Sequence, residues 1–179
     1  MLTTPRPFLP YFPSFQVGNA GPQCRTVVSP ADYHGVLSVG ATDKDDSIVA
    51  FSSRGPGANG TANGTASFSW GSPLPYDPLT PNLVAPGLEI QGPSHTNDDG
   101  YAGFSGTSQA APHVAGAAAL LLSAHPSWTP QQVASSLYTS AATSSLQTPD
   151  AGWLSCGAPA APQQWPNFVA GHGRLDVST

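Results

Sequence analysis

From Gly106 to Ala124 the chain reads GTSQAAPHVAGAAALLLSA, and this run constrains the fold more than any other stretch. Ala115, Gly116, Ala117, Ala118 and Ala119 leave a helix here with small residues on every side, suited to close approach to its neighbours in the middle of a domain. Ser108 stands at its start, Pro112 falls near the first turn, and His125-Pro126 ends it. The apolar stretch from Ala110 to Ala124 contains Pro112 and His113 and is too short to span a bilayer comfortably. We therefore read a buried central helix starting at Ser108 and no membrane span. A second helix begins with Thr129 as N-cap and Pro130 at its first position, and runs from Gln131 to about Ala142.

Short apolar segments separated by Gly and Pro supply the strands. Val36 to Ala41 reads as a buried strand, Ser47 to Ser52 as a second, and Asn82 to Ala85 as a third stopped by Pro86-Gly87, with Leu88-Glu89-Ile90 continuing the sheet. Strands mixed with helices give an α/β chain. Residues 1–16 differ from the rest: Pro5, Pro7, Pro10 and Pro13 forbid a helix and withhold ladder donors, so a central strand is not expected there. We divide the chain into an unmatched Pro-rich segment, 1–16, and a folded part, 17–179. A polar loop is expected from about Gly55 to Pro81, and a loop-like tail from Thr143 to Phe168.

The charge balance excludes one class of partner. Five Lys and Arg stand against ten Asp and Glu, for a formal net charge of −5, and Lys44, Arg6, Arg25, Arg54 and Arg174 are scattered. Phosphate neutralisation needs clustered cations, so nucleic acid is not a partner. Met1 to Phe15 has no apolar stretch of signal-peptide length. Cys24 and Cys156 are too far apart for a CxxC motif. They are either two buried thiols or a disulfide; as a disulfide, the pair closes a loop worth about 4–5 kcal/mol in the chain-entropy account. Asn59-Gly60-Thr61 and Asn63-Gly64-Thr65 fit the N-glycosylation pattern, which also arises by chance in such loops.

Chemistry concentrates at Gly106-Thr107-Ser108-Gln109-Ala110. A serine between a glycine turn and a helix N-terminus sits where unpaired N–H groups and the helix dipole stabilise developing negative charge. The same position suits a helix N-cap, the commoner role for such a serine. The longer string Gly106 to Gly116 decides between them: it resembles the serine motif of the subtilase family, G-T-S-M-A-x-P-H-V-A-G, with Gln109 in place of Met. Gly18-Asn19-Ala20-Gly21 is similar to that family's oxyanion motif, Phe51 to Pro56 to its strand-and-turn block, and Pro81 to Gly87 to P-D-[IV]-x-A-P-G with Asn82 for Asp. Gly171 to Asp176 resembles the family's closing G-[YWH]-G-x-[VLI]-[DN]. The blocks occur in family order from about Val17 to Val177.

The resemblance implies the C-terminal part of a subtilisin-like, doubly wound, mostly parallel sheet. It implies a serine endopeptidase acting on peptide or protein substrates through an acyl-enzyme on Ser108, with Asn19 in the oxyanion hole. Gly18, Ala31, Asp32 and Tyr33 match positions lining the family's specificity pocket. No cofactor is called for in the chemistry; structural calcium is compatible with the family, and no residue set here assigns it. The family order is Asp, His, Ser, yet the residues ahead of Asn19 contain neither Asp nor His. His34, His95, His113, His125 and His172 all follow it, none in the context H-G-T-H-V-A-G. His113, on the helix of Ser108, does not share the serine's face. We therefore expect a fragment of a secreted protease, inactive alone, whose partner is the missing N-terminal half. The alternative is a non-catalytic remnant that binds peptides or another chain. An unrelated serine hydrolase would need G-x-S-x-G, which Ala110 breaks.

Overall fold

The sheet is organised around Leu37–Thr42 (β2), all six residues of which are buried. A computed structural model describes residues 13–33, 35–57, 79–147, 156 and 165–178. On one side β2 pairs in parallel with Ser14–Gln16 (β1), and on the other with Leu83–Pro86 (β3). A strand buried on both faces needs cover from two layers. Alternation along the strands sorts the side chains between them. Leu37, Val39, Ala41, Leu83 and Ala85 form one core with Ala110, Val114 and Ala117 of Thr107–Ala124 (α1) and Val133 and Leu137 of Pro130–Ser140 (α2). On the opposite face Val84 meets Ile48, Val169 and Ala170.

That second face also carries a buried polar knot. Asn82 Oδ1 accepts from Ser38 N at 2.8 Å and from Ser38 Oγ at 2.9 Å, and Asn82 Nδ2 donates to Leu79 O at 2.8 Å. An aspartate could not make the last bond, so the amide suits a site that asks for an acceptor and a donor at once.

Four expectations change. Ser14–Gln16 lies inside the Pro-rich segment yet pairs as β1: Pro13 is the last proline, and its carbonyl accepts from Leu37 N at 2.8 Å, which opens the ladder. Ser47 to Ser52 is not a strand. Ser52 Oγ accepts the Ala41 N–H at 3.0 Å, taking a place a neighbouring strand would fill, and only an isolated bridge joins Thr42 to Ile48. Leu88 to Ile90 does not extend the sheet, because Glu89 turns the chain at a positive φ of 54° into a separate antiparallel hairpin of Ile90–Pro93 (β4) and Tyr101–Phe104 (β5). Finally, α1 is buried on one side only. Thr107, Ala110, Val114, Ala117 and Ala118 are buried, while Ser108, Pro112, Ala115, Gly116 and Ala119 are exposed and Leu120 is 67% exposed. Among the described residues no layer lies on that outer side, and no helix is long and apolar enough to cross a membrane.

The second helix keeps its expected start. Thr129 Oγ1 accepts from Gln132 N, and Gln132 Oε1 accepts from Thr129 N at 2.8 Å, a reciprocal capping box. We expect Thr129→Ala to cost about 1 kcal/mol, read as a lower urea midpoint with an unchanged denaturant slope.

Candidate active site

Parallel pairing of β1 with β2 brings the turn after β1 against the start of α1. Side chains two apart on β1 face the same way, and so do residues three apart on α1. Accordingly Ser14 Oγ donates to Ala111 O at 3.4 Å and Gln16 meets Ser108, while Phe15 on the other side packs against Val17, Val27 and Ala31. Beyond Gln16 the chain turns at Gly18 with φ 103°, where an added Cβ would come within 3.0 Å of Val28 and 3.1 Å of Ser53 Oγ. Gly18 thus lets Asn19 reach across to the helix.

The helix N-cap is Gly106, and it has no side-chain cap. Ser108 is the second helical residue, so the reading of it as an N-cap fails. The cap bonds come instead from Asn19, whose Oδ1 accepts from Thr107 N and from Thr107 Oγ1, both at 2.9 Å. A backbone N–H can only donate, so the atom facing it must be the amide oxygen. Asn19 Nδ2 is therefore turned away from Thr107. It lies on the side of Gly106, where an added Cβ would stand 2.9 Å from Gln109 Oε1, 3.2 Å from Asn19 Nδ2 and 3.7 Å from Ser108 N. With φ at 156°, Gly106 adds no side chain to this crowded space and carries the backbone into the helix start. Among the described residues the Ser108 N–H has no acceptor. Two N–H donors thus border one space next to the serine, the arrangement an oxyanion hole requires, and the Gln109 side-chain oxygen projects toward the same space.

Ser108 Oγ donates to Gln16 Oε1 at 2.6 Å, and Gln16, Asn19 and Ser108 are all exposed. None of the described histidines bonds to Ser108. His113 Nδ1 contacts Gln109 O at 2.8 Å, His125 stacks on Trp128, His172 stacks on Tyr138, and His95 lies exposed in the β4–β5 connection. His34 and both glycosylation sequons lie outside the described residues.

The pocket candidates separate. Gly18 adjoins Asn19 and packs against Val28. Ala31 and Asp32 are each only 1% exposed, and Tyr33 is half-buried. Asp32 Oδ1 accepts from Ser29 Oγ at 2.7 Å, and its buried Oδ2 has no hydrogen-bond partner among the described residues. Sequence reasoning missed Thr107 as the anchor of Asn19 and Gln16 as the partner of Ser108. Cys24 and Cys156 are joined, with Cα atoms 5.1 Å apart, which excludes the free-thiol alternative. Among the described residues no group of His, Cys, Asp and Glu could hold a metal ion.

The sequence pattern of the subtilase family matches residues 14–173. Subtilisin-like protease SBT6.1 of Arabidopsis thaliana is 39% identical over 110 residues, 62% of this chain and 9% of that protein. Subtilisin E of Bacillus subtilis (strain 168) is 38% identical over 116 residues, 65% of this chain and 24% of that protein. Among solved structures, Sphericase superposes with a TM-score of 0.64 at 22% identity, over 91% of this chain and 47% of that one. The chain therefore spans less than half the length of each of these proteins.

Proposed function

This chain belongs to the subtilase family, and on that premise we propose that it carries the nucleophile half of a serine endopeptidase centre. Ser108 is the acylating nucleophile. The Asn19 side-chain amide and the Ser108 N–H receive the oxyanion of the tetrahedral intermediate. The observation that carries this reading is the fixed sense of Asn19: with Oδ1 occupied by Thr107, its donors can only face the space beside Ser108. Substrates are peptides or proteins, bound alongside Gly18 and the segment holding Ala31, Asp32 and Tyr33. The base and its orienting acid come from a further polypeptide segment, the N-terminal half of the domain. The exposed outer side of α1 supports this, since a helix of small residues open to solvent lacks the close neighbour it suits. The Cys24–Cys156 disulfide supports a secreted protein.

Without a base a serine hydroxyl is a poor nucleophile at neutral pH, so the chain alone is expected to be slow but not inert. In subtilisin, from which the magnitude is taken, a centre stripped of its triad still exceeds water by about 10³–10⁴. A fluorophosphonate probe on the full chain should therefore modify Ser108 on the order of 10³ faster than any other exposed serine, by mass spectrometry, and Ser108→Ala should abolish that preference. Labelling spread evenly over the serines of a folded chain would instead favour a non-catalytic remnant.

A further inference from the structure

The hydrogen bond from Ser108 Oγ to Gln16 Oε1 has no place in the chemistry just described, and it is the shorter of the two bonds that Oε1 accepts. Thr107 Oγ1 stands 3.1 Å from the same oxygen but 2.9 Å from Asn19 Oδ1. A hydroxyl has one proton to give, and the nearer acceptor takes the Thr107 proton, so Ser108 is the principal donor to Gln16. A carboxamide oxygen accepts a hydrogen bond but has almost no proton affinity in the pH range where proteins fold. It holds the serine as a neutral hydroxyl and cannot draw the proton away. Gln16 is the last residue of β1 and is exposed, so its side chain can rotate off without disturbing the core.

We propose that Gln16 is a positioning residue that caps the nucleophile: it occupies the hydroxyl proton of Ser108, and a base has to displace Gln16 Oε1 before it can take that proton. This rests on the reading of Ser108 as the nucleophile and adds a gate to it. The gate is independent of the oxyanion hole, because Asn19 is held by Thr107 whether or not Gln16 is in place.

The test follows fluorophosphonate labelling of the full chain with and without added imidazole, from pH 5 to 9. In the labelling step Ser108 Oγ bonds to phosphorus, the P–F bond breaks, fluoride leaves, and the hydroxyl proton passes to imidazole. With the native chain, imidazole has to compete with Gln16 for the proton. Gln16→Ala opens the position, and Gln16→Met does so while keeping the side-chain length. Both should raise the imidazole-dependent rate at Ser108 by about tenfold, the upper range for one neutral hydrogen bond. Gln16→Glu keeps the acceptor geometry but makes the acceptor a base. Its labelling should rise by about a hundredfold without imidazole, along a pH profile that follows ionisation of the new carboxyl group. Equal imidazole responses in the native chain, Gln16→Ala and Gln16→Met, with an unchanged pH profile in Gln16→Glu, overturn the cap and leave Ser108 as nucleophile. Absence of Ser108 labelling in every folded variant overturns the nucleophile, and the cap with it.

Discussion

Asn19→Ala is expected to slow probe labelling of Ser108 by about 10²–10³, down to the level of the other exposed serines. That range is the loss known for removal of one oxyanion donor from subtilisin, and it is the loss expected here on the proposal that Asn19 has that role. Alanine also removes the acceptor that Thr107 N and Thr107 Oγ1 use, so the loss could be assigned to a frayed helix start. Asn19→Asp separates the two effects. A carboxylate still accepts both Thr107 bonds and adds negative charge where the helix dipole favours it, so the fold should be no less stable to urea. It donates nothing, and it sets a negative oxygen where the oxyanion has to form. Labelling of Asn19→Asp should therefore fall at least as far as that of Asn19→Ala. A rate within threefold of the native chain would remove Asn19 from the oxyanion hole.

The parts of this architecture that were legible in the sequence are those where local pattern and burial agree. Leu37, Val39 and Ala41 alternate into one core, and β2 lies where the apolar run reads. Thr129-Pro130 starts α2 because its capping box is made within a few residues. Legibility fails where a distant group replaces a local one. Ser47 to Ser52 has strand composition, yet a single hydroxyl, Ser52 Oγ, satisfies the ladder donor of Ala41 and the backbone turns off. The strands of the β4–β5 hairpin, IQGP and YAGF, are four residues each, carry Gly and Pro, and bury no residue, so no strong period-2 apolar signal marks them. The start of β1 was hidden by the prolines before it, although ladder pairing needs only that prolines stop at residue 13. Within the site, the Ser108 and Asn19 assignments came from resemblance to a family, and the geometry adds how they are held. The contact between Gln16 and Ser108 depends on the register of a three-residue strand against a helix 92 positions away in sequence. No property of either segment alone encodes it.

Removal of the disulfide should have the largest effect on stability. Cys24 follows the Asn19 turn, in a segment laced to the chain around Arg54 by Gly21 N to Phe51 O, Thr26 N to Arg54 O and Arg25 N to Gly55 O. The bond to Cys156 spans a sequence separation of 132, and closing a loop of that length removes denatured-state entropy worth about 4–5 kcal/mol. Folded domains are stable by only about 5–15 kcal/mol, so this one crosslink is comparable with the lower end of that whole range. The double variant Cys24→Ala, Cys156→Ala should lose about 2 M in urea midpoint, given a slope of about 2 kcal/mol/M for a chain of this size. Because the crosslink acts mainly on the unfolded chain, the slope should also rise, as a more expanded denatured state exposes more surface. Native chain treated with a thiol reagent before reduction should show no free thiol. A midpoint shift under about 0.5 M would mean that the bond merely decorates a structure already held by its backbone ladder, and that Asn19 keeps its place without it. A shift of the expected size, with Ser108 labelling lost at urea concentrations the native chain tolerates, would tie the integrity of the oxyanion turn to that crosslink.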